Sequence, residues 1–380
     1  MNAARLHTIG QPMKIDEILL PAVRPTDVLV EVRICGVVPN LRRVIGNFFG
    51  TEAPDRKRFP PLPAIFGLDP AGVVAAVGDQ VLSVRPGQRV YVNPARGCGS
   101  CRMCRTGRSI VCQNMTMQGY FGRSIDIMKA YPYGGLSQFI TAPSNALVLL
   151  PDNVTFEDAA RFGYLGTAYS ALKKIDVGPG DTLLVNGISG MLGLCAALLG
   201  LAMGARKILG TGRNQALLER VKAISPDRIE VYAMTDELTP DPDQPERDPF
   251  IMWTRSATDG LFVDGVIDCL PPGAPANNLV RAIYSLRRGG AAVNVGAVTA
   301  NLPLNGFWMV ANQISFRGSS WFTTAEAEEL ASMSGSGLLD LSVFDHRISP
   351  LGKVNEALLS MSDNKDGGFA NYVIDMSRVD

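Results

Sequence analysis

Four cysteines fall within fifteen positions: Cys98-Gly-Ser-Cys101-Arg-Met-Cys104, then Cys112, a C-x2-C-x2-C-x7-C spacing. Thiolates this close on one short loop can close a tetrahedron around Zn²⁺ and leave no position open to a substrate, as in a structural zinc site. The C-x2-C-x2-C opening also begins ferredoxin sequences, so an iron–sulfur cluster or an empty lobe are the alternatives. The fourth spacing and the absence of a following Cys-Pro speak for zinc. Arg96, Arg102, Arg105 and Arg108 lie among these cysteines and are expected to offset the negative charge of a tetrathiolate. Cys195 and Cys269, on an apolar helix and at a strand end, are expected to be buried packing residues.

A second constellation is Thr182-Leu-Leu-Val-Asn-Gly-Ile-Ser-Gly-Met-Leu-Gly193, an apolar strand running through a glycine turn into a small-residue helix start. Glycines at 187, 190 and 193 let backbone amides approach a pyrophosphate at a helix N-terminus, where the dipole favours negative charge. The following strand ends at Leu209-Gly-Thr-Gly-Arg213-Asn214, about 20 residues past the glycines, where an adenosine ribose is read. A carboxylate there would bind the ribose 2′-hydroxyl and repel a 2′-phosphate. Gly212 and Arg213 offer space and positive charge instead, which favours NADP(H) over NAD(H); otherwise Arg213 is only a solvated loop residue.

The elements that must position these groups change character along the chain. The first half carries short β-type runs broken by Gly and Pro, at Val28–Ile34, Gly72–Val77, Arg89–Val92 and Ser137–Thr141, and reads as an antiparallel, barrel-like domain. From about residue 165, apolar strands at Thr182–Asn186, Lys207–Leu209, Gly265–Cys269 and Ala291–Val295 alternate with helical patterns at Gly193–Ala205, Asn214–Ile224 and Pro275–Leu286. Such alternation builds a parallel sheet with helices on both faces. Chain order then returns the last 60 residues to the first domain. Thr235–Asp248 is polar and Pro-rich and is expected to be a mobile surface loop.

Composition narrows the class. A 380-residue chain is long enough for two domains, and 46% hydrophobic against 19% charged residues is ordinary for a globular protein. With 36 basic and 36 acidic residues, no net charge recruits nucleic acid or an anionic membrane. The N-terminus lacks the apolar core of a signal peptide, and the longest apolar stretch, Leu192 to Ala205, is too short to span a bilayer. A cytoplasmic protein is the expectation.

With these pieces in order, the sequence resembles the medium-chain dehydrogenase/reductase superfamily, in its zinc-containing alcohol dehydrogenase branch. The resemblance covers nearly the whole chain. It is carried by Ile34-Cys-Gly36, Phe66-Gly-Leu-Asp-Pro-Ala-Gly-Val-Val74, Gly78-Asp-Gln-Val81, Pro86-Gly-Gln-Arg-Val90 and the cysteine lobe. Further on, Gly134-Gly-Leu-Ser-Gln-Phe139, Thr167-Ala-Tyr169, the glycine turn, Arg288-Gly-Gly290, Val295-Gly296 and Phe316-Arg-Gly-Ser319 match as well. The implied fold is α/β: a GroES-like β-rich catalytic domain plus a Rossmann doubly wound parallel sheet. The former takes residues 1–164 and 321–380, with the zinc lobe at about 93–115; the dinucleotide-binding domain takes 165–320. The implied cofactor contacts are Thr167, Gly187, Ser189, Gly190, Met191, Leu192, Gly193, Gly212, Arg213, Asn214, Val295, Gly296 and Ala297.

The family's catalytic zinc is held by a Cys, a His in a Gly-His-Glu motif, and a Cys or acidic residue before Thr-Ala-Tyr. Carried over, the first is Cys35, but the second falls on Leu68, followed by Asp69, and the third falls near Gly163. The hydroxyl and acid after Cys-Gly fall on Val37 and Val38, and the relay histidine on Asn40. The chain holds only His7 and His346, neither near these motifs. One ligand cannot hold a catalytic Zn²⁺, which takes three protein ligands; the alternative is a misplaced loop and a remote Asp or Cys.

Without that metal, plain alcohol oxidation loses its Lewis acid. Hydride delivery to an already electrophilic acceptor, such as an enone, needs only positioning and a proton donor. The expectation is an NADPH-dependent, zinc-independent reductase of an activated C=C bond. A carbonyl reductase or alcohol dehydrogenase with a side-chain acid in place of zinc is the second reading, and a non-catalytic nucleotide-binding protein the third. Asp69, Cys35 and Tyr120 are the candidate catalytic residues, with Tyr164 nearby in sequence. Asn40, Phe48, Phe49, Asn93, Pro94, Ala297 and Trp321 are the candidate walls of a hydrophobic substrate pocket. Asn371 stands where relatives often carry a basic residue reaching toward the cofactor. A homodimer or homotetramer joined edge to edge through strands near Ala291–Val295 and Ile314–Ser319 is implied.

Overall fold

The computed structural model describes residues 1–47, 59–234, 247–361 and 365–380. They divide into two compact units: Met1–Gly163, Trp321–Lys365 and Ala370–Asp380 in one, Tyr164–Ser320 and Asp366–Phe369 in the other.

The first unit holds β1 (Asn2–Leu6), β2 (Lys14–Glu17), β3 (Asp27–Gly36), β4 (Ala64–Ile65), β5 (Asp69–Val77), β6 (Arg89–Val92), β7 (Ala95–Arg96), β8 (Thr116–Met117), β9 (Phe139–Pro143) and β10 (Leu147–Leu149). Its main sheet runs β10-β6-β5-β3 and continues through two late strands, Ala370–Asp375 and then Asp345–Pro350; β9 also pairs with β3. Those late strands therefore belong to the first sheet although they close the chain. Strand β3, DVLVEVRICG, is buried over most of its length because β5, β9 and Ala370–Asp375 surround it. Its register against β5 sets Cys35 opposite Pro70 and Gly36 opposite Asp69.

The second unit holds β11 (Thr182–Asn186), β12 (Lys207–Gly212), β13 (Ile229–Ala233), β14 (Val263–Asp268), β15 (Leu286–Asn294) and β16 (Ser315–Gly318). Their order is β13-β12-β11-β14-β15-β16, and every pairing is parallel. This is the doubly wound order, with its switch point between β11 and β14, where such sheets take their ligands. Strand β11 is buried at all five positions, as a central parallel strand covered on both faces must be. The fold class is α/β, a β-rich first unit with a Rossmann-type parallel sheet in the second.

Three expectations need correction. Asp248 is not a surface-loop residue: it is buried, caps helix Pro249–Ala257 through the amides of Phe250 and Ile251, and pairs with the buried Arg281 at 2.9 Å. The rest of that loop, through residue 246, lies outside the described residues. Strand β15 lies between β14 and β16 and offers no free edge, so of the two strands expected at an interface only β16 can extend the sheet. Cys195 is buried as expected, but Cys269 is only partly so.

Candidate functional site

The cysteine lobe is shaped by short turns. Cys98 follows β7, Cys101 precedes the single helical turn Arg102–Arg105, Cys104 lies on that turn, and Cys112 ends the turn Ser109–Val111. Gly99 and Gly107 adopt φ of +74° and +75°, which other residues rarely tolerate, and so fold the loop back on itself. The sulfurs lie 3.6 Å (Cys101–Cys104), 3.7 Å (Cys101–Cys112) and 3.6 Å (Cys98–Cys112) apart, and all four within 4.8 Å. A tetrahedron with Zn–S bonds of about 2.3 Å has sulfurs roughly 3.8 Å apart, so the lobe fits one zinc ion. Amides of Ser100 and Cys101 pull the Cys98 thiol down to about 5, which supplies a thiolate at neutral pH. Among the described residues this is the only group of three or more metal-binding side chains that converge.

The glycine turn opens at the end of β11. Gly187 takes φ of +87°, and Gly190 starts helix Met191–Ala202. At Gly193 a Cβ would collide with the Gly187 carbonyl, so only glycine lets the helix close on the turn. Thr211 at the end of β12 holds the turn twice: its carbonyl accepts from Ile188 N at 2.8 Å and its hydroxyl from Gly187 N at 3.0 Å. The Gly187 and Ile188 amides are thus spent within the fold, which leaves the N-terminus of helix Met191–Ala202 to face a pyrophosphate, and the residues present fit a dinucleotide. At Gly212 a Cβ would lie 2.9 Å from both Ser189 Oγ and Leu218 Cδ2, so an acidic side chain there would have to displace its neighbours. Arg213 is exposed, and Asn214 caps helix Gln215–Lys222 by accepting from Leu217 N. Gly367 and Gly368 pack against the carbonyls of Ser189 and Gly190, a support from the far end of the chain that no local pattern announces.

In the first unit, Cys35 is fully buried, with its thiol held far above the ordinary range by burial and by Asp69. Asp69, 2% exposed, accepts from the Tyr91 hydroxyl at 2.9 Å. Burial pushes its carboxyl up to about 7, against the Tyr91 bond, the Arg161 charge and the Gly163 amide. At Gly163 a Cβ would collide with both Asp69 oxygens. Leu68, next to Asp69, is a buried hydrocarbon. Among the described residues no third metal-binding side chain converges with Cys35 and Asp69, where a catalytic zinc takes three protein ligands.

Residues 24–152 match the alcohol dehydrogenase GroES-like domain family, and residues 192–335 the zinc-binding dehydrogenase family. The chain is 27% identical to an alcohol dehydrogenase of Geobacillus stearothermophilus, over 97% of this chain and 98% of that one. It is 26% identical to a protein named NAD-dependent alcohol dehydrogenase of Sulfurisphaera tokodaii, with the same coverage. Among solved structures, that of AibC superposes with a TM-score of 0.80 at 24% identity, covering 99% of this chain and 95% of that one. The chain belongs to the medium-chain dehydrogenase/reductase superfamily, in its zinc-containing alcohol dehydrogenase-like branch. It is an NAD(P)-dependent oxidoreductase.

Within this oxidoreductase the other expected residues separate. Asn93 is buried and fully engaged: its Oδ1 accepts from Trp321 Nε1 at 2.9 Å and Ala95 N at 3.1 Å, while its Nδ2 donates to the Phe322 carbonyl. It thus fixes Trp321, which takes φ of +60°. Asn40 is exposed at the start of a helix, and Phe48 and Phe49 lie outside the described residues. Tyr120 is buried against Phe121, ring centroids 4.9 Å apart, as a packing residue would be. Asn371 is committed inside its own unit, donating to the Glu157 carbonyl at 2.8 Å and lying 3.1 Å from His346 Nδ1. The arginine expectation is corrected at Arg96, which is buried and bonds the Asn93 carbonyl and Gln118 rather than the cysteines. Sequence reasoning missed Tyr91, Asn186 and Asp268, whose partners come from distant strands.

Proposed function

We propose that this oxidoreductase works with NADPH, carries one structural zinc in the cysteine lobe, uses no catalytic zinc, and reduces an activated C=C bond of a hydrophobic substrate. The observation that carries the reading is the Asp69 carboxyl filling the space beside Gly163, with Leu68 next to it. A catalytic zinc takes three protein ligands, and neither Leu68 nor Gly163 can supply one.

The cofactor, when bound, supplies a hydride to the electrophilic carbon. The chain's own residues do the rest. The 187–193 turn, with Ser189, Met191 and Leu192, holds the pyrophosphate, and Thr167 and Val295–Ala297 hold the nicotinamide end. Gly212 and Arg213 leave space and positive charge for a 2′-phosphate. Asp69 holds a proton near neutral pH and is the proposed donor; Cys35, whose thiol stays protonated, and Tyr120 are the alternatives. Trp321, fixed by Asn93, lines the substrate side.

A second reading, a carbonyl reductase that protonates oxygen, draws on the same Asp69–Tyr91 pair, since a hydrogen-bonded acid could serve a carbonyl as well. Phe307 and Val310 on helix Gly306–Asn312, 80% and 73% exposed, support association of copies through β16 as a homodimer or homotetramer. No helix among the described residues is long and apolar enough to cross a membrane.

Oxidation of NADPH and of NADH against enones and matched saturated ketones tests the reading. Turnover of enones with NADPH, surviving mild chelation, is expected. Ketone turnover abolished by chelation would overturn it.

A further inference from the structure

A polar row crosses the parallel sheet of the second unit at the carboxyl ends of its strands. Asn186 on β11 is in register with Asp268 on β14, and Asp268 with Asn294 on β15. Thr211 on β12 follows Gly210, the partner of Val185. Thr211, Asn186 and Asp268 are each at most 1% exposed.

These side chains form one directed chain. The Gly187 amide donates to Thr211 Oγ1 at 3.0 Å, the Thr211 hydroxyl to Asn186 Oδ1 at 2.7 Å, and Asn186 Nδ2 to Asp268 Oδ1 at 2.7 Å. The chain starts at the residue whose φ of +87° opens the glycine turn and ends on a buried carboxyl. Asp268 Oδ2 has no hydrogen bond of good geometry among the described residues, the Leu270 amide being the one backbone donor that acts on the carboxyl, and the side-chain oxygens of Asn278 and Asn294 have none either. Burial lifts the carboxyl to about 7, and no cation is among the groups acting on it. Burying a carboxyl this way is costly, and an apolar side chain would fill the same space without that penalty. Its use must therefore lie in what it holds.

We propose that Asp268 is a positioning residue for the dinucleotide: it orients Asn186, Asn186 orients Thr211, and the Thr211 hydroxyl fixes the Gly187 amide before the cofactor arrives. This rests on the dinucleotide reading of the 187–193 turn given above. The Gly187 N–H is consumed within the fold, so the chain sets the turn's shape rather than touching the cofactor. The effect belongs in cofactor affinity and not in the chemical step.

The test is NADPH binding, measured by fluorescence titration, in wild type, Asp268→Leu, Asp268→Asn, Thr211→Val and the Leu/Val double variant, with the unfolding temperature of each cofactor-free protein recorded. Each of Asp268→Leu and Thr211→Val is expected to weaken binding about tenfold, in proportion to one broken hydrogen bond. The double variant should lose little more than either alone, since both break one chain. Asp268→Asn keeps an acceptor for Asn186, so it should recover most of the affinity. KM for NADPH should rise in the Leu and Val variants while kcat at saturation stays within about twofold. Should Asp268→Leu not fold, Thr211→Val against Asp268→Asn carries the comparison. Unchanged affinity in the variants, or losses that multiply in the double variant, would overturn the proposal. Failure of wild type to bind NADPH or NADH would overturn it together with the dinucleotide reading.

Discussion

The carboxyl of Asp69 stands where any side chain on Gly163 would have to stand. Asp69 begins β5 and Gly163 lies in helix Phe162–Lys174, so residues nearly a hundred positions apart share one side chain's volume. Substituting Gly163→Ala should therefore overpack the site and destabilise the protein by about 1–3 kcal/mol. In an Asp69→Ala background the same substitution should cost much less. Denaturant unfolding of the four proteins in this cycle checks it, and additive losses would show that the two positions do not compete.

The cysteine lobe should lose its metal when any ligand is removed. Cys98→Ser or Cys112→Ser is expected to abolish bound zinc and lower the unfolding temperature by about 5 °C or more, because binding energy there is folding energy. Metal analysis beside thermal unfolding reads both. Retained zinc in Cys98→Ser would place the ion elsewhere.

Cofactor choice should turn on the end of β12. Arg213→Ala is expected to raise KM for NADPH about tenfold, the scale of one charge-assisted contact, and to change KM for NADH by less than about twofold. Equal effects on both cofactors would reduce Arg213 to a solvated loop residue.

Asp268 also gives a pH signature in stability. Burial lifts its carboxyl to about 7, so the folded chain keeps a proton that the unfolded chain releases near pH 4. Stability from this group is complete below about pH 4 and is lost as pH rises through about 7, on the order of a few kcal/mol. Asp268→Asn cannot titrate, so its unfolding temperature should gain on wild type between about pH 4 and pH 7 and then level off. A difference that stays flat over that range would contradict the shift.

The parts of this molecule that can be read from sequence are the local ones. The cysteine spacing and the glycine turn each fit within a dozen or so residues, so their chemistry is visible before any folding. The alternation of strands and helices after residue 165 gave the parallel sheet for the same reason. What was not legible came from long-range pairing. Asp69 meets Tyr91 and Gly163 through the register of β5 and the approach of a later helix. Asp268 reads as an ordinary strand end until Asn186, 82 residues earlier, is beside it. Arg96 reads locally as a counter-charge to the cysteines and Asp248 as a surface-loop residue, yet tertiary contacts bury both. Gly367 and Gly368 support the cofactor turn from a segment whose neighbours in sequence belong to the other unit.

Zinc content per chain in the purified protein, with enone reduction by NADPH followed in the same preparation, tests the loss of the catalytic metal most directly. One zinc per chain, with turnover persisting after mild chelation, is the expected result. Two zincs per chain, with turnover lost on chelation, would contradict it and mean that other residues supply the ligands missing at Leu68 and Gly163.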